Sequence, residues 1–98
     1  MADKPTMKLK IVSPERVLFD DEVNEVVMNA KAGQITILPN HVPLVSILVA
    51  GDVLIRKYED VSTEEGSGGV GEIPLVISGG FVEVAQNQVV ILADTAEH

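Results

Sequence analysis

The aliphatic side chains of this chain come in short runs, several of them at alternate positions, and every run is cut by Gly, Pro, Asn, Asp or Ser. Met7, Leu9 and Ile11 alternate with Lys8, Lys10 and Val12, which is the two-residue period of a strand with one wet face. Residues 53–58 repeat the pattern, with Val53 and Ile55 opposed to Arg56 and Tyr58. Residues 35–38 and 44–49 are continuous apolar runs between breakers, as expected of strands buried on both faces. Further strands are predicted over 17–19, 23–28, 73–77, 81–84 and 89–93. Turns are predicted at Ser13-Pro14-Glu15, at the acidic Asp20-Asp21-Glu22, at residues 29–33, at Gly51-Asp52, at Ser78-Gly79-Gly80 and at residues 85–88.

Eight or so short strands at regular spacing specify an all-β fold, an antiparallel sandwich or barrel. Hydrophobic residues make up 46% of the chain but aromatic ones only 3%, so the core must be aliphatic. The β-branched Val and Ile favour pleated sheet over helix. The 98 residues fit one domain, 1–98, able to bury roughly 60 to 65% of its unfolded surface. The polar, Gly/Ser-rich stretch 59–72, "EDVSTEEGSGGVGE", reads as a mobile loop between two strands of a hairpin. The exit "ADTAEH" differs from the rest. Asp94 followed by Glu97 is a capping-box pattern, so residues 94–98 are expected to begin a helix truncated from a longer protein.

Composition excludes several functions. A formal charge of −8 and the lack of any Lys/Arg-rich run leave nothing to neutralise a phosphate backbone, so nucleic acid is no partner. Without cysteine there is no disulfide scaffold and no thiolate zinc site. The opening "MADKPTMKLK" has no apolar signal core, and no apolar run approaches the roughly 18 residues that would span a bilayer. The expectation is a soluble, intracellular chain with no direct membrane insertion.

Candidate chemistry is sparse. "GSGGVG", residues 66–71, has the letters of a dinucleotide fingerprint, but a proline and a strand-like run follow where a helix is needed, so the flexible-loop reading prevails. The acids Asp20, Asp21, Glu22 and Glu25 lack the spacing of a calcium loop, and so do Glu59, Asp60, Glu64 and Glu65; solvated turns explain both groups. His41, in "LPNHVP", could act as a general base, but no cysteine or serine elbow stands ready to be activated, and the other imidazole is terminal His98. Pro39 and Pro43 lack amide protons and Asn40 tolerates a left-handed backbone, so the segment reads as a structural corner. No cofactor is expected, and no catalysis.

Three segments together, "LKIVSPERVLF", "GQITILPNHVPLVSIL" and "ISGGFVEVAQNQVVILADTAE", resemble the N-terminal domain of the epsilon subunit of F-type ATP synthases, in the family's order and spacing and over nearly the whole chain. The resemblance implies a β-sandwich of about ten short strands. It also implies a non-catalytic subunit at the foot of the rotating central stalk, peripheral at the cytoplasmic face of a bacterial inner membrane. There it would bind the gamma subunit and the c-ring and couple proton translocation to ATP synthesis. Carried over by position, Lys31, Ala32, Gln34 and Ile35 would face the c-ring, and Ser13, Asn40, His41, Ser46 and Ser78 the gamma subunit. Gln34 stands where the family carries glutamate, so it offers a neutral hydrogen bond in place of a charge-assisted one. In longer members a two-helix hairpin follows this domain, inhibits ATP hydrolysis and in some binds ATP; neither property is expected of this chain. The rival reading is a stand-alone β-sandwich that binds a protein or small ligand at its loops, though scarce aromatics argue against glycans.

Overall fold

The computed structural model describes residues 5–58, 70–94 and 96–97, and every regular element among them is a strand. In chain order these are β1 (Met7–Val12), β2 (Val17–Val23), β3 (Glu25–Ala30), β4 (Gly33–Ile37), β5 (Leu44–Tyr58), β6 (Val70–Ala85), β7 (Gln88–Ala93) and β8 (Ala96–Glu97). They lie in the order β2-β1-β7-β6-β5-β3-β4, with β8 beside β6. All pairs are antiparallel except β1 with β7.

The described residues form eight strands, in line with the residue pattern and fewer than the ten or so the resemblance implies, and two of the expected turns are bends within strands. Gly51-Asp52 and Ser78-Gly79-Gly80 lie inside β5 and β6, which stay paired in one register from Leu44↔Val84 to Tyr58↔Val70. Which side chains face inward nevertheless changes at that level. Leu44, Ser46 and Leu48 point toward the core before the bend, and Val53 and Ile55 after it. In β6 the inward set switches from Leu75 and Ile77 to Val82 and Val84. With a side-chain period of two, a straight strand cannot exchange its faces; here the ribbon turns over, helped by glycines with φ of +153° at Gly51, +148° at Gly79 and +153° at Gly80.

The bend converts one sheet into the two layers of a β-sandwich. One layer holds β2, β1, β7 and residues 80–85 and 44–48 of the long strands; the other holds β4, β3, β8 and residues 70–77 and 53–58. Leu9, Ile11, Val23, Val26, Ile37, Ile55, Val82, Val89 and Ile91 meet between them at zero exposure. Each such side chain adds about 1.5 to 3 kcal/mol of burial. The one buried polar residue among those described is Asn24, between β2 and β3. Its Nδ2 donates to the Pro5 carbonyl at 2.6 Å, its Oδ1 accepts the Tyr58 amide at 2.7 Å, and its own amide reaches the Arg56 carbonyl at 3.0 Å.

Three further expectations are corrected. Residues 96–97 pair with Ile77 and Val76 as β8, where a helix was expected to begin. After Ala93 the chain passes Gly79, whose carbonyl accepts the Asp94 amide at 3.0 Å, and then covers backbone groups of β6 that β7 has left behind. Gly71 and Glu72 of the expected loop are strand residues opposite Lys57 and Arg56; residues 59–69, with most of that loop and part of "GSGGVG", lie outside the described residues. The acids Asp20, Asp21 and Glu22 belong to β2, not to a turn. They are engaged by Lys8 (3.6 Å), Lys57 (2.6 Å) and the Thr6 hydroxyl (2.8 Å) respectively.

Two measurements check this description. A Cβ on Gly80 would sit 2.2 Å from the Leu92 carbonyl oxygen, a backbone atom that cannot move aside. Gly80→Ala is therefore expected to lower the unfolding free energy by about 2 to 4 kcal/mol in urea titration; a loss below about 0.5 kcal/mol would contradict the close approach. The second concerns Asp21, whose carboxyl is held below its ordinary 3.8 by the Lys57 hydrogen bond and then by the Glu22 amide. A lowered folded pKa adds stability that is present above the unfolded value and lost as pH falls through the folded one. The urea midpoint of Asp21→Asn should lie slightly below that of the unaltered protein at pH 7, the pair being exposed. The gap should close below about pH 4; a gap constant to pH 2 would remove this ion pair from the account.

Candidate protein interface

The run 44–49 is not buried on both faces. Leu44, Ser46 and Leu48 turn inward, and Val45, Ile47 and Val49 stand in solvent on the outer face of the first layer. Ile47 lies opposite Phe81 on β6, Phe81 opposite Leu92 on β7, Leu92 opposite Val12 on β1, and Val12 opposite Val17 on β2. The result is one apolar row crossing five strands, roughly 19 Å long at the usual strand spacing. Ile47 is 56% exposed, Val17 53%, Leu92 47% and Phe81 36%, although each is large and apolar. Lone exposed aliphatics are ordinary, whereas a contiguous row marks a surface made to be covered.

Polarity rises away from the row. The next level sets Val45, Glu83, Val90, Lys10 and Asp20 side by side, and the one beyond it Ala85, Gln88, Lys8 and Glu22. An apolar centre with a charged margin is the anatomy of a protein interface.

The β3–β4 turn adjoins the row. The Lys31 amide donates to the Ile47 carbonyl at 2.9 Å, and Lys31 and Ala32 line a shallow groove with Val45, Ser46, Ile47 and Phe81. Residues assigned from resemblance to two separate surfaces, Lys31 and Ala32 on one and Ser46 on the other, thus share a single depression. Gln34 is exposed on β4 opposite Asn29, and Ile35 beside it is half-buried against the core opposite Met28.

The remaining assigned residues are scattered. Ser13 closes the β1–β2 turn, its Oγ accepting the amides of Glu15 and Arg16, each at 3.3 Å. Ser78 is exposed at the bend of β6. Asn40 and His41 form the corner between β4 and β5, with Asn40 at φ +65°. The His41 amide reaches the Leu38 carbonyl at 3.2 Å, and Nδ1 lies 2.6 Å from the carbonyl of Val42, a contact that requires the proton on Nδ1. Through Nδ1 that ring engages the corner's own backbone.

Sequence reasoning set Val12 on the wet face of its strand but missed Phe81, Leu92 and Val17 as surface residues. A signal existed in residues 44–49, where apolar residues fill both phases of one strand: a single core can take only one phase, so the other must face something else.

The profile of the ATP synthase delta/epsilon chain β-sandwich domain matches residues 6–98. The ATP synthase epsilon chain of Dehalococcoides mccartyi is 44% identical over 91 residues, 93% of this chain and 57% of that protein. The epsilon chain of a Roseiflexus species is 45% identical over 89 residues, 91% of this chain and 56% of the other. The chain thus spans little more than half the length of these curated relatives. Among solved structures, a chain of the Euglena gracilis mitochondrial ATP synthase assembly of OSCP, F1 and c-ring superposes with a TM-score of 0.77 at 23% identity, covering 98% of this chain and 56% of its own. A chain of the Tetrahymena thermophila mitochondrial ATP synthase central stalk and c-ring gives 0.72 at 16% identity, with 98% and 69% covered. At such identities these two speak for the fold alone.

If the row stands free of the core, charging it should not unfold the chain. The double variant Ile47→Lys, Leu92→Lys is expected to keep its urea unfolding free energy within about 1 kcal/mol. A loss of more than about 3 kcal/mol would mean that these side chains carry core packing.

Proposed function

Since the chain belongs to the ATP synthase delta/epsilon family, of which it carries the β-sandwich domain, we propose that it is a non-catalytic central-stalk subunit of an F-type ATP synthase. It binds the gamma subunit and the c-ring so that torque from proton translocation reaches the sites of ATP synthesis. The observation that carries this reading is the outer apolar row from Ile47 to Val17. A coupling part needs a rigid body with one side permanently covered, and obligate contacts bury more apolar surface than transient ones.

In this reading the gamma subunit covers the row, Ser46 and the Asn40-His41 corner, with Ser78 at the margin. Ser13 contributes through the shape of its turn, because its hydroxyl is already engaged. The turn bearing Lys31, Ala32 and Gln34, with Ile35 beneath it, faces the c-ring. The groove shared by Lys31, Ala32 and Ser46 lies where the two partners meet. The chain sits peripherally at the cytoplasmic face of a bacterial inner membrane; no described helix is long and apolar enough to cross one.

Binding to the purified cognate gamma subunit tests the proposal. A complex should form at micromolar concentration or below, and Ile47→Lys with Leu92→Lys should weaken it by at least about 100-fold, as truncating interface anchors does. No complex with the unaltered chain would sink the assignment, and an unaffected double variant would move the contact elsewhere.

A further inference from the structure

Two asparagines far apart in sequence hold the same uncommon backbone conformation and are bonded to each other. Asn40, in the β4–β5 corner, has φ +65°, and Asn87, in the β6–β7 turn, has φ +60° beside Gln86 at +53°. Ala85 and Gln88 close that turn as a pair, so it is a two-residue hairpin loop with both central residues left-handed. Glycine is the usual second residue of such a loop because it adopts that conformation without steric cost. A side chain held there against that cost points to a task glycine could not perform.

The contacts show the task. Asn87 Oδ1 accepts the amide of Asn40 at 2.8 Å, Asn87 Nδ2 donates to the Thr6 carbonyl at 2.9 Å, and the Asn87 carbonyl accepts the Lys8 amide at 3.2 Å. One residue therefore joins three segments: the corner, the β6–β7 turn and the lead-in to β1. The corner carries Leu38 and Val42, which stand 51% and 69% exposed on either side of Asn40 and His41. Pro39 and Pro43 bring no amides of their own, so the Asn40 amide is one of few groups by which this segment can be fastened to the sandwich.

We propose that Asn87 is a positioning residue for partner docking: by fixing the Asn40 amide it holds Leu38, His41 and Val42 in the geometry the gamma subunit receives. This rests on the gamma-binding reading above. A corner ordered before contact spares the complex the entropy of ordering it afterwards.

Asn87→Gly separates this role from a merely structural one. Glycine suits the turn at least as well as asparagine but removes both side-chain bonds. Asn87→Asp keeps the oxygen that accepts the Asn40 amide, but it loses the donation to Thr6 and turns a second carboxylate oxygen toward that carbonyl. The measurements are affinity for the purified gamma subunit, exchange of the Asn40 amide with solvent, and thermal stability, for the unaltered chain and both variants. Expected are an affinity about 10-fold weaker in Asn87→Gly, Asn40 exchange faster by about 10-fold or more, a melting temperature within a few degrees, and recovery to within about threefold in Asn87→Asp. A glycine variant that binds as tightly as the unaltered chain overturns the proposal, and so does unchanged Asn40 exchange. Equal losses in both variants would assign the effect to the Thr6 contact and overturn it as well. If the unaltered chain forms no complex, the gamma-binding reading fails and takes this inference with it, a result distinct from a complex that the glycine variant matches.

Discussion

The paired bend of β5 and β6 is the constraint on which the rest of the molecule depends. Neither strand gives up its register there, yet both exchange the side chains they turn inward, at Gly51 in one and at Gly79 and Gly80 in the other. Had the ladder broken, each strand would have ended in free amides and carbonyls that a small aliphatic core could not satisfy. Had it stayed straight, Leu48 and Val53 could not both have reached one core. By bending as a ribbon, the pair supplies the middle of both layers and leaves few edges to be covered. Short β8 is one consequence, since it takes up backbone of β6 that β7 cannot reach past the bend.

A second consequence concerns the outside. Before the bend β5 is apolar in both phases, one feeding the core and the other the row that continues through Phe81 and Leu92 to Val12 and Val17. Beyond the bend the outward residues of the long strands are mixed, with Leu54, Pro74 and the exposed Val76 among Asp52, Arg56 and Glu72, and Arg56 binds Glu25 at 2.9 Å and Glu72 at 3.1 Å on the second layer. The two layers therefore present unlike surfaces, one with an apolar row across five strands and the other with ion pairs beside its apolar residues.

Much of this could be read from residues alone. Met7, Leu9 and Ile11, or Val53 and Ile55, declare strand and inward face together, because alternation fixes both at once. The corner at Pro39, Asn40 and Pro43 was legible from the missing amides and from asparagine's tolerance of left-handed backbone. Other features were not. Gly79-Gly80 has the composition of a turn, and only the partner strand, which bends at the same level, shows it to be a bend. Asp94 and Glu97 have capping-box spacing, but local propensity yielded to an unpaired stretch of β6 supplied from elsewhere in the chain. Asp20 and Asp21 looked like a turn because their cationic partners, Lys8 and Lys57, lie far away in sequence. The apolar row was hidden for the same reason, as its members come from five strands and meet only through pairing.

The central claim is that the first layer's outer face is covered by the gamma subunit while the second layer's is not. Because the chain has no cysteine, single thiols can be placed cleanly, by Leu92→Cys on the first layer and Val76→Cys on the second, both at exposed positions. Alkylation rates with and without bound gamma subunit then report the covered side. The account predicts that binding slows the reaction at position 92 by at least about 10-fold and leaves position 76 unchanged, in keeping with a water-excluding interface core. Equal protection at both positions, or protection at 76 alone, would contradict it.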